Sequence, residues 1–181
     1  MQRTDLSRRA FLGCGIAAAV TFTAGPAWAA FAKQPARALG FRNTHTGESL
    51  ETVYWEQGVY IPEALDEINV VLRDHRTGDV HPIDPQLLDL LTHLQQSVDS
   101  ARAFEVISGY RSPKTNAMLA SNSGGVARKS LHMQGMAIDI RLPGKRLKDL
   151  RAAALSLEAG GVGYYPSSDF VHVDTGRVRS W

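Results

Sequence analysis

The chain is 181 residues long, 44% hydrophobic and 21% charged, the size and balance of one globular domain, which excludes a fibrous, disordered or multidomain protein. Its 20 basic and 18 acidic residues give a formal charge of +2, but the first 29 residues hold Arg3, Arg8 and Arg9 against Asp5, so 17 of each sign remain beyond them. That balance argues against a nucleic-acid partner, which needs Lys and Arg gathered on one face.

The N-terminus reads as an address. Ser7-Arg8-Arg9-Ala10-Phe11-Leu12 sets two arginines before an apolar stretch from Phe11 to Ala24, and Ala27-Trp28-Ala29 supplies the small, any, small pattern of a signal-peptidase site. Residues 1–29 therefore resemble a twin-arginine export signal, and the mature protein is expected in the periplasm. The apolar stretch is shorter than the about 20 residues that a permanent span needs. Cys14, the single cysteine, lies inside this stretch, whereas a lipidation cysteine would follow it. The mature chain is thus expected to hold no disulfide and to draw its stability from packing and a bound metal.

Residues 30–37 read as a linker and 38–181 as the domain. Ala38 to Asn43 and Leu50 to Trp55 are strand-like runs around a turn at Gly47, a hairpin signal. Pro62 opens a helix striped by Leu65, Ile68, Val71 and Leu72, and His75 to His81 breaks the pattern. Asp84 and Pro85 then start the clearest helix, with Leu87, Leu90, Leu91, Leu94 and Val98 at helical spacing. Phe104 to Ser108 is a β-rich run, Pro113 to Ser121 a short helix, and Ser121 to Lys129 a polar, glycine-rich loop expected to be mobile. Met136 to Leu142 alternates as a strand, Leu147 to Glu158 is an amphipathic helix, and Gly160-Gly161 stops it. Val162 to Tyr165 and Phe170 to Asp174 close the chain as a hairpin through Pro166-Ser167-Ser168. This order implies an α+β domain with a mainly antiparallel sheet and flanking helices.

Two of these strands carry chemistry. Alternation sends Met136, Ile138 and Ile140 to one face and Ala137 and Asp139 to the other; on the later strand Val171 and Val173 oppose Phe170, His172 and Asp174. Were the strands neighbours, Asp139 and His172 would converge, and Gly135 would let the chain turn so that His132 joins them. Two imidazoles and a carboxylate are a zinc ligand set that leaves one position open, as a catalytic site requires.

The string Ser130-x-His132-x-x-Gly135-x-Ala137-x-Asp139, with Ser108-Gly109-Tyr110-Arg111-Ser112 upstream and Phe170-Val171-His172-Val173-Asp174-Thr175-Gly176 downstream, resembles the D-Ala-D-Ala metallopeptidases of the VanX type. These share a fold with the hedgehog domain and lysostaphin-type enzymes. With GVGYYP and the last twelve residues, the chain is more similar still to the YcbK (MepK-like) murein endopeptidases. The resemblance implies that His132, Asp139 and His172 hold Zn2+, that Arg111 steadies the substrate carbonyl oxygen, and that Ser130 lines the substrate site. With the export signal it implies action on peptidoglycan peptides; the chain is expected to be a monomer, without stable membrane insertion once the signal is cut.

The general base departs from the pattern. Relatives place Glu three residues before the last His, or His two before it, where this chain has Asp169 and Phe170. Asp169 is the first candidate and Asp174 the second, the latter equally able to orient a ligand histidine. His45, His75, His81 and His93 read as solvent-facing or structural, and Tyr164, Tyr165 and Trp181 as core or as the border of a cleft. Two rival readings remain: a wall-binding module that keeps its metal for stability, and a carboxypeptidase or dipeptidase trimming free stem peptides.

Overall fold

An antiparallel hairpin of β1 (Ala36–Asn43) and β2 (Ser49–Glu56) begins the computed structural model, which describes residues 36–122 and 127–181. The expected export signal, and all but the end of the expected linker, lie outside the described residues. β1 starts at Ala36, two residues before the expected strand, because Arg37 is a structural residue: its guanidinium lies 4.0 Å from the Trp55 ring centroid and 2.8 Å from an Asp89 oxygen.

Helix α1 (Pro62–Val71) has Pro62 in its first turn and buries Ala64, Ile68 and Val71. In α2 (Pro85–Ser97) the Asp84 carboxylate accepts from the Gln86 N–H, and Leu87, Leu88, Leu90, Leu91 and Leu94 are buried. His93, read as solvent-facing or structural, is buried as well. Then follow β4 (Phe104–Ser108), α3 (Pro113–Asn122), a 3-10 turn at Leu131–Gln134, β5 (Ala137–Arg141), α4 (Leu147–Ser156), β6 (Gly161–Tyr165), a 3-10 turn at Pro166–Ser168 and β7 (Phe170–Asp174). Two short strands complete the set, β3 (Val59–Tyr60) and β8 (Arg179–Ser180). The last helix ends at Ser156 rather than Glu158, and Gly161 belongs to β6. Residues 123–126 of the expected mobile loop lie outside the described residues.

The eight strands form one sheet in the order β3-β2-β1-β4-β5-β7-β6-β8. Only the β1–β4 and β6–β8 pairs are parallel among its described neighbours, so the expected α+β domain with a mainly antiparallel sheet is what the chain builds. Ile138, Ile140, Val171 and Val173 join one core with the leucines of α2 and with Leu150 and Ala154 of α4. Strand alternation therefore leaves Ala137 and Asp139 of β5, and Phe170, His172 and Asp174 of β7, on the face away from those helices. No helix among the described residues is long and apolar enough to cross a membrane.

Candidate active site

Register decides the centre of the site. β5 and β7 are adjacent and antiparallel, with Asp139 directly opposite His172, so both side chains leave the same face of the sheet. His132 arrives from the 3-10 turn. Ser130 caps that turn by accepting the His132 N–H at 3.4 Å. Gly135 ends it at φ 67°, and the Met136 N–H donates to the Leu131 carbonyl as the chain enters β5. A side chain at Gly135 would also run into the Pro82 carbonyl, so glycine is required twice over.

Three ligand atoms then face one another. His172 Nδ1 lies 2.8 Å from Asp139 Oδ1, His132 Nε2 lies 3.2 Å from His172 Nδ1, and His132 Nε2 lies 3.3 Å from Asp139 Oδ1. The outward nitrogens fix what these atoms can be. His132 Nδ1 is 2.8 Å from the Gly109 carbonyl, and His172 Nε2 is 3.0 Å from Asp174. Both partners accept, so both outward nitrogens carry hydrogen, and in the neutral rings the inward nitrogens present lone pairs. Two lone pairs and a carboxylate oxygen converging without a donor call for a cation. A tetrahedral ion with bonds of about 2.0 to 2.1 Å separates its ligands by about 3.3 Å, close to the spacing found. The His132, Asp139 and His172 cluster thus fits a metal ion.

Electrostatics agree with that fit. Burial alone would raise the Asp139 carboxyl, but the two histidines outweigh it and hold the group well below the usual carboxylate range. For His172, burial acts to lower the pKa and the Asp139 and Asp174 carboxylates reverse this into a net rise, so a cation entering the site takes the place of a proton at Nδ1.

Arg111 is brought in by the segment after β4. Gly109 lies tight against Leu72, whose carbonyl accepts the Tyr110 N–H at 2.8 Å, and the Arg111 N–H donates to the His132 carbonyl at 3.1 Å. The buried Asp74 carboxylate accepts the N–H groups of Ser112 and Arg76, both at 2.9 Å. Nothing in the sequence marked Asp74, since it falls just before an irregular loop. The Arg111 guanidinium lies 3.3 Å from Ser108 Oγ and 3.6 Å from Asp139 Oδ2, and its buried Nε has no hydrogen-bond partner among the described residues. It faces a cleft of about 350 Å³ whose walls also include Lys129, Ser130, Tyr165, Phe170, Arg179, Trp181 and the three ligands.

The two carboxylates expected as base are placed differently. Asp169 sits in the left-handed conformation at φ 52° that closes the Pro166–Ser168 turn, has a side chain 64% exposed, and pairs with Arg141 at 2.9 Å. It is absent from the cleft wall, so its placement lends the reading of Asp169 as base no support: a turn residue ahead of β7 is not bound by that strand's alternation. Asp174 is fully buried beneath His172. Burial would raise its carboxyl, yet His172, the Arg179 guanidinium and the Gly176 and Gly161 N–H groups hold it well below the usual range. A carboxylate with five such hydrogen bonds is spoken for, and one of them holds the His172 ring at Nε2. Arg179 itself escaped sequence reasoning, because a two-residue strand has no periodicity to read.

The sequence has relatives among known proteins. The family model described as peptidoglycan L,D-endopeptidase MepK fits residues 31–181. The peptidoglycan L,D-endopeptidases MepK of Escherichia coli K12 and of Shigella flexneri are each 42% identical over 182 residues, covering all of both chains. The probable peptidoglycan L,D-endopeptidase MepK of Haemophilus influenzae is 40% identical over 183 residues, covering all of this chain and 98% of its own. The chain belongs to the MepK family of M15 metallopeptidases, and it is a peptidase.

Proposed function

We propose that this protein is a zinc-dependent, periplasmic endopeptidase that hydrolyses L,D peptide cross-links of peptidoglycan. The observation that carries the reading is the convergence of His132, Asp139 and His172, all as acceptors, at a cleft that Arg111 also faces. An L,D bond joins the carbonyl of an L centre to the amine of a D centre. The name its relatives bear therefore favours the direct link between two diamino acids over the link through D-Ala, which would be a D,D bond.

Zinc suits two imidazoles and a carboxylate at tetrahedral spacing, and when bound there it supplies the Lewis acidity that makes water nucleophilic near neutral pH and polarises the carbonyl. The protein's own groups do the rest. Gly109 and Asp174 hold the two imidazoles in the tautomers that leave the inward nitrogens bare. Arg111 steadies the carbonyl oxygen as negative charge grows on it, and Ser130 borders the substrate. Export by the twin-arginine route, read from Arg8-Arg9 and the stretch that follows, lets the domain fold and load its metal before crossing the membrane. The protein acts as a monomer.

Defined muropeptide dimers test this. Zinc-loaded protein is expected to convert the L,D-linked dimer to monomers by mass spectrometry and to leave the D,D-linked dimer intact, with His172→Ala inactive. Stoichiometric metal with no cleavage of any dimer would replace the enzyme by a metal-stabilised wall-binding module.

A further inference from the structure

Beside His172 the sheet carries two glycines at alternate positions. Gly161 and Gly163 of β6 share a face with Tyr165, and Gly163 is the direct cross-strand partner of His172. The indole of Trp181 fills the space over Gly163: a Cβ there would stand 2.8 Å from Trp181 Cε2 and 2.8 Å from the Tyr165 ring. Trp181 is anchored through its backbone, donating to the Val162 carbonyl at 3.2 Å and accepting from the Tyr164 N–H at 3.1 Å. Its ring tilts against His172 with centroids 5.3 Å apart, and the Arg179 guanidinium lies 4.9 Å from its centroid.

This packing fixes a hydrogen bond of known direction. Trp181 Nε1 lies 2.7 Å from Tyr165 Oη, and an indole N–H only donates, so the phenolic oxygen accepts and its own hydrogen points elsewhere. Among the described residues no acceptor meets that hydrogen. Phe170 stacks on the Tyr165 ring at 4.5 Å, holding its plane, and Tyr165 lines the same cleft as Arg111 and the three ligands.

We infer that Tyr165, locked by Trp181, donates its phenolic hydrogen to the carbonyl oxygen of the scissile amide and shares with Arg111 the charge that gathers there. This rests on the peptidase reading. No proton is transferred: the O–H bond of Tyr165 stays intact while its hydrogen bond strengthens. Trp181 is a positioning residue, acting through Tyr165, and Gly163 makes room for it.

The test compares zinc-loaded wild type, Tyr165→Phe and Trp181→Phe by calorimetric titration with a phosphinate pseudodipeptide. Its tetrahedral, anionic phosphorus centre replaces the L,D amide. Turnover of the L,D-linked dimer is followed in parallel. Removing one donor to a developing oxyanion is expected to lower both phosphinate affinity and kcat of Tyr165→Phe about tenfold or more, with KM little changed. Trp181→Phe, which keeps a ring but loses the N–H, should shift in the same direction by a smaller factor. Metal content is expected to stay stoichiometric in both. Unchanged phosphinate affinity and kcat in Tyr165→Phe would overturn the assignment, and so would loss of its metal, which would make the residue structural. A wild type that cleaves no dimer would defeat the peptidase reading separately, and the phosphinate titration would still decide whether Tyr165 donates.

Discussion

His172 is gripped from both ends: Asp139 lies at its Nδ1 and Asp174 at its Nε2. Because Asp174 is fully buried and accepts only, replacing it by Asn puts an NH2 group or a weaker acceptor against the imidazole. Asp174→Asn is expected to weaken zinc binding about 10- to 100-fold, measured by competition with a chromophoric chelator; unchanged affinity would show that the ring needs no such partner. Arg111 makes a different claim, since it touches no outward nitrogen of the ligands. Arg111→Ala should keep the metal while kcat falls about 100- to 1,000-fold, checked by metal analysis beside the turnover of an L,D-linked dimer. At this scale the sequence was informative where residue type and strand parity agreed, as at Asp139 and His172. It could not place Asp169, where distance along the chain from His172 was the only guide. The conformation that turns Asp169 toward Arg141 is set by a 3-10 turn that no periodicity announces.

Between the elements, the site depends on how sharply the 3-10 turn hands the chain to β5. Gly135 at φ 67° is the pivot, with the Pro82 carbonyl against it. Gly135→Ala combines a left-handed conformation, costing about 1 to 2 kcal/mol for an L side chain, with a collision that backbone must yield to, about 1 to 3 kcal/mol more. At about 2 to 4 °C per kcal/mol for a domain of this size, the melting temperature should fall by roughly 10 °C. Gly47, at φ 76° with open space where a side chain would begin, is the control: its Ala variant carries only the first cost. Equal losses in the two variants would dismiss the Pro82 contact. The long elements were legible because each buries one face: the leucines of α2 and the alternation of β5 and β7 identify themselves. β3 and β8, two residues each, and the parallel pairing of β1 with β4 were not, because their partners lie far along the chain. That blindness mattered most at β8, whose Arg179 and the adjoining Trp181 complete the wall around His172.

Across the whole molecule, His132, Asp139 and His172 bring together segments that sequence keeps apart: the turn before β5, β5 itself, and the neighbouring β7. Removing the cation leaves two lone pairs and a carboxylate crowded at 2.8 to 3.3 Å, an arrangement that only protonation or loosening relieves. A metal bound by the folded chain and not by the unfolded one stabilises by about 4 kcal/mol when its free concentration is about 1,000 times the dissociation constant. At about 2 to 4 °C per kcal/mol, chelation should lower the melting temperature by roughly 10 °C, and added zinc should restore it. His172→Ala separates this from any general effect of the chelator. With a ligand gone, its melting point should start near that of the stripped wild type and respond to neither reagent. A wild type whose melting point ignores both chelator and zinc would mean that these side chains meet for a reason other than holding a metal.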